Sequence, residues 1–199
     1  MSVTLVGMVM LDDFDRAAAV VQAVVCSVRD DQWSLPTACA EWDVRAVVNH
    51  LAHGNARVAE WAGAGPAAAP GDYLGADPPG AFTASVARAR EVLAEPGLAT
   101  RLVTTPLGDV PGSLLVHMRL NEYLAHGWDV ADATGQPTDF VPDLAEQALE
   151  SWRTRFGDQS RPPGGPFAPE RPAPPDAAAA DRLAAFLGRT PVRAGELRP

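Results

Sequence analysis

The stretch of residues 113–134 constrains the fold most, because it combines a helical spacing of apolar residues with ionisable residues on the same face. Glu122 and His126 are four residues apart, so a helix places them on one side, about one turn from each other. Leu115 and Met118 precede them on that side, which makes it an apolar stripe. A carboxylate and an imidazole are costly to bury without a partner. The stretch therefore predicts a helix whose inward polar residues share a partner.

A divalent metal ion is the partner that suits both Glu122 and His126, because helix bundles commonly bind metals through Glu and His on facing helices. The alternative is a helix edge at which the two side chains form a solvated pair. The metal interpretation needs a third ligand elsewhere in the chain.

Helical patterns recur along the rest of the chain. They predict helices over residues 11–29, 43–63, 81–95 and 143–156, and a short closing helix over 176–187. Asp43 is a good N-cap, and Gly135 suits the residue that follows a helix. Residues 101–110 predict a small hairpin or an extended crossover.

Proline and glycine mark the connections. Residues 63–80 are rich in Ala, Pro and Gly and predict a long surface loop, which could act as a lid. Residues 162–175 contain seven prolines and predict an extended stretch. We expect a mainly all-α fold, an antiparallel four-helix bundle, in a single domain over 1–199. Its core would span about 11–157, and a C-terminal extension would cover 158–199.

Charge and composition exclude several classes of function. A net charge of -9 disfavours nucleic acid and anionic membranes as partners. We expect a small-molecule substrate and a monomer or homodimer. The sequence contains neither a Gly-rich phosphate loop nor a Gly-x-Ser-x-Gly elbow. The apolar start, residues 1–10, lacks a preceding positive charge and is too short to span a bilayer. We therefore expect a cytoplasmic protein.

His50 is the candidate third metal ligand, because it lies on the core side of the helix predicted over 43–63. His53 lies on a neighbouring flank of that helix, and His117 lies nearly opposite His126. Two imidazoles and one carboxylate leave tetrahedral zinc one ligand short, as in catalytic sites. We therefore expect an open position facing a cleft toward the 63–80 loop. The alternative is that His50 is an ordinary core histidine.

Residues around these candidates have two interpretations. Asp129 could accept a hydrogen bond from a metal-bound His126, or it could pair with Arg45 and hold two helices together; we favour the pairing. Trp42 and Trp128 are predicted to pack in the core. Cys39 is a weak candidate for a nucleophile, since small core cysteines are common, and Cys26 and Cys39 do not form a disulfide framework.

Two motifs carry a family resemblance. The first motif is Thr37-Ala38-Cys39-Ala40-Glu41-Trp42-Asp43-Val44-Arg45, followed by Asn49-His50-Leu51. The second motif is His126-Gly127-Trp128-Asp129-Val130-Ala131-Asp132-Ala133-Thr134-Gly135. The two motifs occur in this order, with compatible helices between them. Together they resemble the actinobacterial mycothiol-dependent maleylpyruvate isomerase-like family, which belongs with the DinB-like four-helix bundles. The resemblance covers roughly residues 11–190. It implies that a His on the second helix and a Glu-x-x-x-His pair on a later helix bind a divalent metal. Those roles fall on His50, Glu122 and His126.

The chain departs from the family pattern at two places. The usual Pro-Cys-Pro-Gly-Trp stretch reads Ala-Cys-Ala-Glu-Trp over residues 38–42. We also expect the chain to lack the fuller C-terminal domain of the isomerase, so the resemblance is to the shorter members and does not imply maleylpyruvate as substrate.

The resemblance implies thiol chemistry on a metal, with zinc as the expected ion and mycothiol as the thiol. The expected activity is a thiol-dependent transferase or isomerase acting on a small electrophilic metabolite. A metal-dependent hydrolase is an alternative on the same scaffold, because an open position on zinc also activates water. A third is a protein that binds metal or a small ligand without turnover. No residue is predicted to bind the thiol.

Overall fold

The computed structural model describes residues 3–39, 42–157, 161, 168–174 and 176–192. In these residues the main elements are helices α1 (Val3–Cys26), α2 (Val44–Trp61), α3 (Pro78–Leu93), α4 (Ser113–Thr134), α5 (Pro142–Phe156) and α6 (Ala179–Phe186), and strands β1 (Leu102–Thr105) and β2 (Gly108–Pro111). The prediction of a mainly all-α fold is confirmed. Among the described helices, none combines the length and apolar character needed to cross a membrane.

Local signals place most element boundaries correctly. Helix α4 has the predicted bounds, and Gly135 follows it with φ of 71°. Asp43 is the predicted N-cap of α2, since its Oδ1 accepts a hydrogen bond from the Ala46 amide at 2.7 Å. The β1 and β2 strands pair antiparallel, which confirms the hairpin interpretation.

Two helices begin earlier than predicted. Helix α1 begins at Val3 rather than residue 11. Asp12, Asp13 and Asp15, an acidic cluster typical of the first turn of a helix, lie within α1. Asp15 accepts a hydrogen bond from Arg90 Nε of α3 at 2.6 Å. Helix α3 begins at Pro78 rather than 81, because Asp77 caps it by accepting a hydrogen bond from the Gly80 amide at 3.1 Å.

By its contacts the chain divides into two compact units. The first contains residues 1–26 and 48–123, and the second contains residues 27–47 and 124–199. Two of the three boundaries fall within helices α2 and α4, and the third follows the end of α1.

Tyr123 is the centre of the first unit. Its ring is fully buried, with its centroid 5.5 Å from that of Phe14 in α1 and 6.3 Å from that of Phe82 in α3. Its hydroxyl donates to Asn55 Oδ1 of α2 at 2.8 Å. Tyr123 thus anchors helix α4 to α1, α2 and α3. It directly follows Glu122 along α4.

A buried arginine adds a second anchor between α4 and α2. Arg119 donates from Nε to Asn55 Oδ1 at 3.1 Å and from Nη2 to the Leu51 carbonyl at 3.1 Å. The guanidinium lies over Gly54, at which a Cβ atom would meet Nη1 at 2.1 Å. The absence of a side chain at this position therefore makes room for the anchor.

The second unit is built around Trp128. The indole is buried, which confirms its predicted core role, and Nε1 donates to Asp181 Oδ1 of α6 at 2.7 Å. Thr138 Oγ1 donates to the same oxygen at 2.9 Å. Residues 168–174 are non-helical, as predicted for the proline-rich stretch; residues 162–167 and 175 lie outside the described residues.

Candidate metal centre

His50 and Glu122 meet within the first unit. Helix α2 carries His50, helix α4 carries Glu122, and His50 Nε2 lies 2.7 Å from Glu122 Oε2. The two side chains are 36% and 38% exposed, respectively. A solvent-accessible imidazole therefore contacts a solvent-accessible carboxylate, which are two donor types that zinc accepts.

His126 follows Glu122 by four residues on the unbroken helix α4, so the two positions share one side of that helix. His126 is buried, and its Nδ1 lies 2.9 Å from Asp129 Oδ2. Because a carboxylate only accepts, Nδ1 donates and Nε2 keeps the lone pair that a metal requires. The local structure thus selects the tautomer that a metal ligand needs, in which Nε2 is unprotonated.

Asp129 is fully buried, and its charge is balanced by Arg189. Arg189 Nε lies 3.3 Å from Asp129 Oδ1, and Arg189 Nη2 lies 3.3 Å from Oδ2. Sequence reasoning missed Arg189, because it follows α6 outside any periodic pattern. The proposed pairing of Asp129 with Arg45 stays a prediction; the Arg45 amide donates to the Trp33 carbonyl at 2.9 Å.

Residues 37–39 and Trp42 complete the surroundings of His126. The Trp42 ring centroid lies 5.7 Å from that of His126. Cys39 Sγ, a nitrogen of His126 and a carboxylate oxygen of Asp129 all lie within 4.8 Å of one another. The structure therefore places Cys39, which the sequence favoured only as a core residue, beside a candidate metal ligand.

The other two histidines have different surroundings. His53 Nε2 lies 2.9 Å from the Ala68 carbonyl, and its ring stacks on Tyr73 with centroids 5.0 Å apart. His117 is exposed on α4. His53 thus belongs to the contacts that hold the loop before α3.

That loop is bonded to α2 beside His50. Asn49 Nδ2 donates to the Gly71 carbonyl at 2.9 Å, and Asn49 Oδ1 accepts from the Tyr73 amide at 2.7 Å. A motion of the loop as a lid would have to break these hydrogen bonds, and those of His53.

A cavity of about 630 Å³ lies within the second unit. Its lining includes Trp128, Asp181, Arg189 and residues 171–174 of the proline-rich stretch. This volume is in the range of small-molecule sites. Arg189 therefore contributes to the wall of a cavity and also bonds the carboxylate that orients His126.

Comparisons with known proteins support the family resemblance of the sequence motifs. The sequence profile of the family described as "Mycothiol maleylpyruvate isomerase N-terminal domain" matches residues 14–131. Two uncharacterized proteins of Mycobacterium tuberculosis, from strains CDC 1551 / Oshkosh and H37Rv, are each 43% identical over 177 residues, which covers 88% of this chain and 94% of theirs. No solved structure gives a significant match.

Proposed function

Because the chain belongs to the mycothiol maleylpyruvate isomerase N-terminal domain family, we propose that it is a metal-dependent enzyme that uses a mycothiol-type thiol. The reaction is transfer of the thiol to a small electrophilic metabolite, or isomerisation of that metabolite through reversible thiol addition, in the cytoplasm. The ion is zinc, and the ligands are His50, Glu122 and His126.

The contact between His50 and Glu122 carries this proposal, together with His126 one helical turn further along α4. The three side chains are of the types that zinc accepts as ligands. Ligands at about 2.0–2.1 Å from a tetrahedral zinc are about 3.3 Å apart. The 2.7 Å contact between His50 and Glu122 is a hydrogen bond. A small rotation of either side chain would open it to the distance that zinc requires.

Zinc fits this donor set, because two imidazoles and one carboxylate with a further position are typical of catalytic zinc. When bound, the ion favours the thiolate form of a thiol, which is the nucleophilic form. Asp129 holds the His126 imidazole with Nε2 available. Arg189 keeps the Asp129 carboxylate stable in its buried position.

One observation favours a second candidate, a metal-binding protein without turnover. Cys39 and Asp129 lie close enough to His126 to be considered as further ligands. A shell of four protein ligands is typical of structural zinc. The two candidates differ in whether an external thiol can reach the ion and react.

The test is thiol conjugation by the purified full-length protein loaded with zinc. We expect wild-type protein to accelerate the reaction of mycothiol with an alkylating probe such as monobromobimane. The variant His126→Ala should react at the uncatalysed rate, whereas His117→Ala, on an exposed position of the same helix, should keep the activity. Stoichiometric zinc with no acceleration by wild-type protein would favour the binding protein instead.

A further inference from the structure

Three arginines line a groove in the second unit. Helix α5 contributes Arg153, the non-helical stretch before α6 contributes Arg171, and α6 contributes Arg182, around a space of about 520 Å³. Glu170 and residues 172–174 complete the lining of this arginine groove. We propose that the arginine groove is a binding site for a small organic carboxylate that carries an apolar body. None of its lining residues is a candidate metal ligand, so the inference goes beyond the proposed function.

The charges of the groove favour an anion with a single negative charge. Two carboxylates bond to the three guanidinium groups, since Glu170 Oε1 lies 3.3 Å from Arg153 Nη2 and Glu146 pairs with Arg182. One positive charge is left over, in a chain whose net charge is -9. A carboxylate would balance that charge. A doubly charged phosphate ester would instead leave an excess negative charge close to Glu146 and Glu170, which repels it.

Arg171 supplies the uncompensated charge. Among the described residues, its guanidinium makes no hydrogen bond or ion pair, and the residue is exposed. Its backbone amide donates to the Ala185 carbonyl at 2.8 Å, which holds it against the helix that carries Arg182. Asp176 and Asp181 line the 630 Å³ cavity and not the groove. A planar guanidinium with available donors matches the two oxygens of a carboxylate.

Arg153 and Arg182 can also donate to a ligand, because their ion pairs lie at the surface. The side chains of Arg153 and Glu170 are 54% and 49% exposed, and such pairs contribute little to stability. Phe186 helps to position Arg153, since its ring centroid lies 5.9 Å from the guanidinium carbon. A guanidinium has several N–H donors, so either arginine can keep its carboxylate and still bind a ligand oxygen.

Proline and alanine side chains give the groove an apolar wall. Pro172, Ala173 and Pro174 line it between the arginines and carry no side-chain hydrogen-bonding group. Removing apolar surface from water is favourable, so a hydrocarbon ring suits this wall better than a sugar does. The volume of about 520 Å³ is in the range of small-molecule sites. The ligand class is therefore a small carboxylic acid with a ring.

Fluorine NMR of 4-trifluoromethylbenzoate with the full-length protein tests the inference. This probe carries one carboxylate on an aromatic ring, and 4-trifluoromethylbenzamide is its uncharged match. We expect the benzoate to saturate one site per chain. The benzamide should bind at least about 10-fold more weakly, because it forms no charge-assisted hydrogen bonds with arginine. Equal dissociation constants for the two probes would overturn the inference.

Two variants with opposite effects locate the site. Arg171→Ala should raise the Kd of the benzoate at least about fivefold. Arg155→Ala makes the same change of charge on α5 outside the groove lining, and should leave the Kd nearly unchanged. Glu170→Gln should lower the Kd, because it removes a carboxylate that competes for Arg153.

Glu170→Gln also keeps the test decisive if Arg171→Ala fails to fold, since loss of structure does not tighten binding. An unchanged Kd in folded Arg171→Ala, or an unchanged or higher Kd in Glu170→Gln, would overturn the inference.

Zinc separates the arginine groove from the candidate metal centre, because an open position on zinc also accepts a carboxylate. We expect the same Kd for the benzoate in zinc-loaded and in chelator-treated protein. Binding that requires zinc would assign the carboxylate to the metal and overturn the groove. Inorganic phosphate at matched ionic strength should displace the benzoate only weakly. Displacement at equal concentrations would show that the groove recognises charge alone and would overturn the ligand class.

Discussion

Asp129 accepts a hydrogen bond from Nδ1 of His126 at 2.9 Å, and its carboxylate has no exposed surface. A carboxylate in this position fixes the imidazole tautomer and its orientation, which leaves Nε2 available for a metal. The same carboxylate bonds Arg189 through both of its oxygens. One buried residue therefore supports both a candidate ligand and an ion pair.

Replacing Asp129 tests its role in metal binding. We expect Asp129→Asn to lower zinc affinity by about 10- to 100-fold, because an amide no longer imposes the same proton arrangement on His126. Titration with a chromophoric zinc chelator measures the change. Unchanged affinity in a folded variant would contradict the orienting role.

Replacing Arg189 removes its ion pair with Asp129 and leaves the hydrogen bond between His126 and Asp129 in place. Arg189→Met should reduce the free energy of unfolding by about 3 kcal/mol or more, because it leaves the buried Asp129 carboxylate without its cation. Urea unfolding of metal-free protein measures this loss. The zinc affinity of the folded variant should fall less than that of Asp129→Asn, since the hydrogen bond from His126 to Asp129 remains. The opposite order would show that Arg189 matters more for the site than the carboxylate does.

Gly54 is predicted to resist substitution despite its position inside helix α2. Alanine is favoured over glycine in helices by about 1 kcal/mol, but its Cβ would displace the Arg119 guanidinium from its bonds to Asn55 and Leu51. We expect Gly54→Ala to lose about 2 kcal/mol of unfolding free energy overall. The control is Gly71→Ala, at which a Cβ meets nothing within 4 Å. Equal free energies of unfolding for Gly54→Ala and Gly71→Ala would contradict the role of Arg119 as an anchor between α2 and α4.

Ionisation of Tyr123 is predicted to lower the free energy of unfolding at alkaline pH. Burial raises the pKa of Tyr123 above its ordinary value of 10.0, and nearby Arg119 and Asn55 only partly oppose this shift. A raised pKa means that folding favours the protonated phenol. Its contribution is therefore complete below about pH 10 and is lost as the pH rises further toward the folded-state pKa.

Tyr123→Phe is the control for this pH dependence. We expect the substitution to lower the free energy of unfolding by about 1 kcal/mol at neutral pH. Asn55 loses the hydrogen bond from Tyr123 and keeps the one from Arg119. Urea unfolding between neutral pH and pH 11 should then show a shallower alkaline decline than in wild-type protein. Identical declines would mean that Tyr123 does not titrate with unfolding.

Sequence patterns correctly predicted the structural features that depend on residues close together along the chain. The bounds of α4, the Asp43 cap and the hairpin follow from local periodicity and backbone chemistry. The start of α1 was missed, because the acidic cluster that suggests a first turn contains Asp15, which pairs with Arg90 from another helix.

Long-range pairing was the part that sequence could not predict. Arg189 and Asp129 are 60 residues apart, and nothing in either local pattern selects the other as a partner. Cys39 illustrates the same limit: its position beside His126 depends on a turn that Thr37 and Trp42 close through specific hydrogen bonds. His50, Glu122 and His126 could be proposed because the helix that carries Glu122 and His126 is periodic. His50 lies on the core side of a second predicted helix, and the family motif agrees with this choice.

The most direct test is anomalous diffraction from crystals of the zinc-loaded protein, collected on both sides of the zinc absorption edge. We predict one strong anomalous peak, with Nε2 of His126, a ring nitrogen of His50 and a carboxylate oxygen of Glu122 each within about 2.0–2.2 Å of it. A peak elsewhere, or a peak at His126 with His50 and Glu122 still hydrogen-bonded to each other, would contradict it.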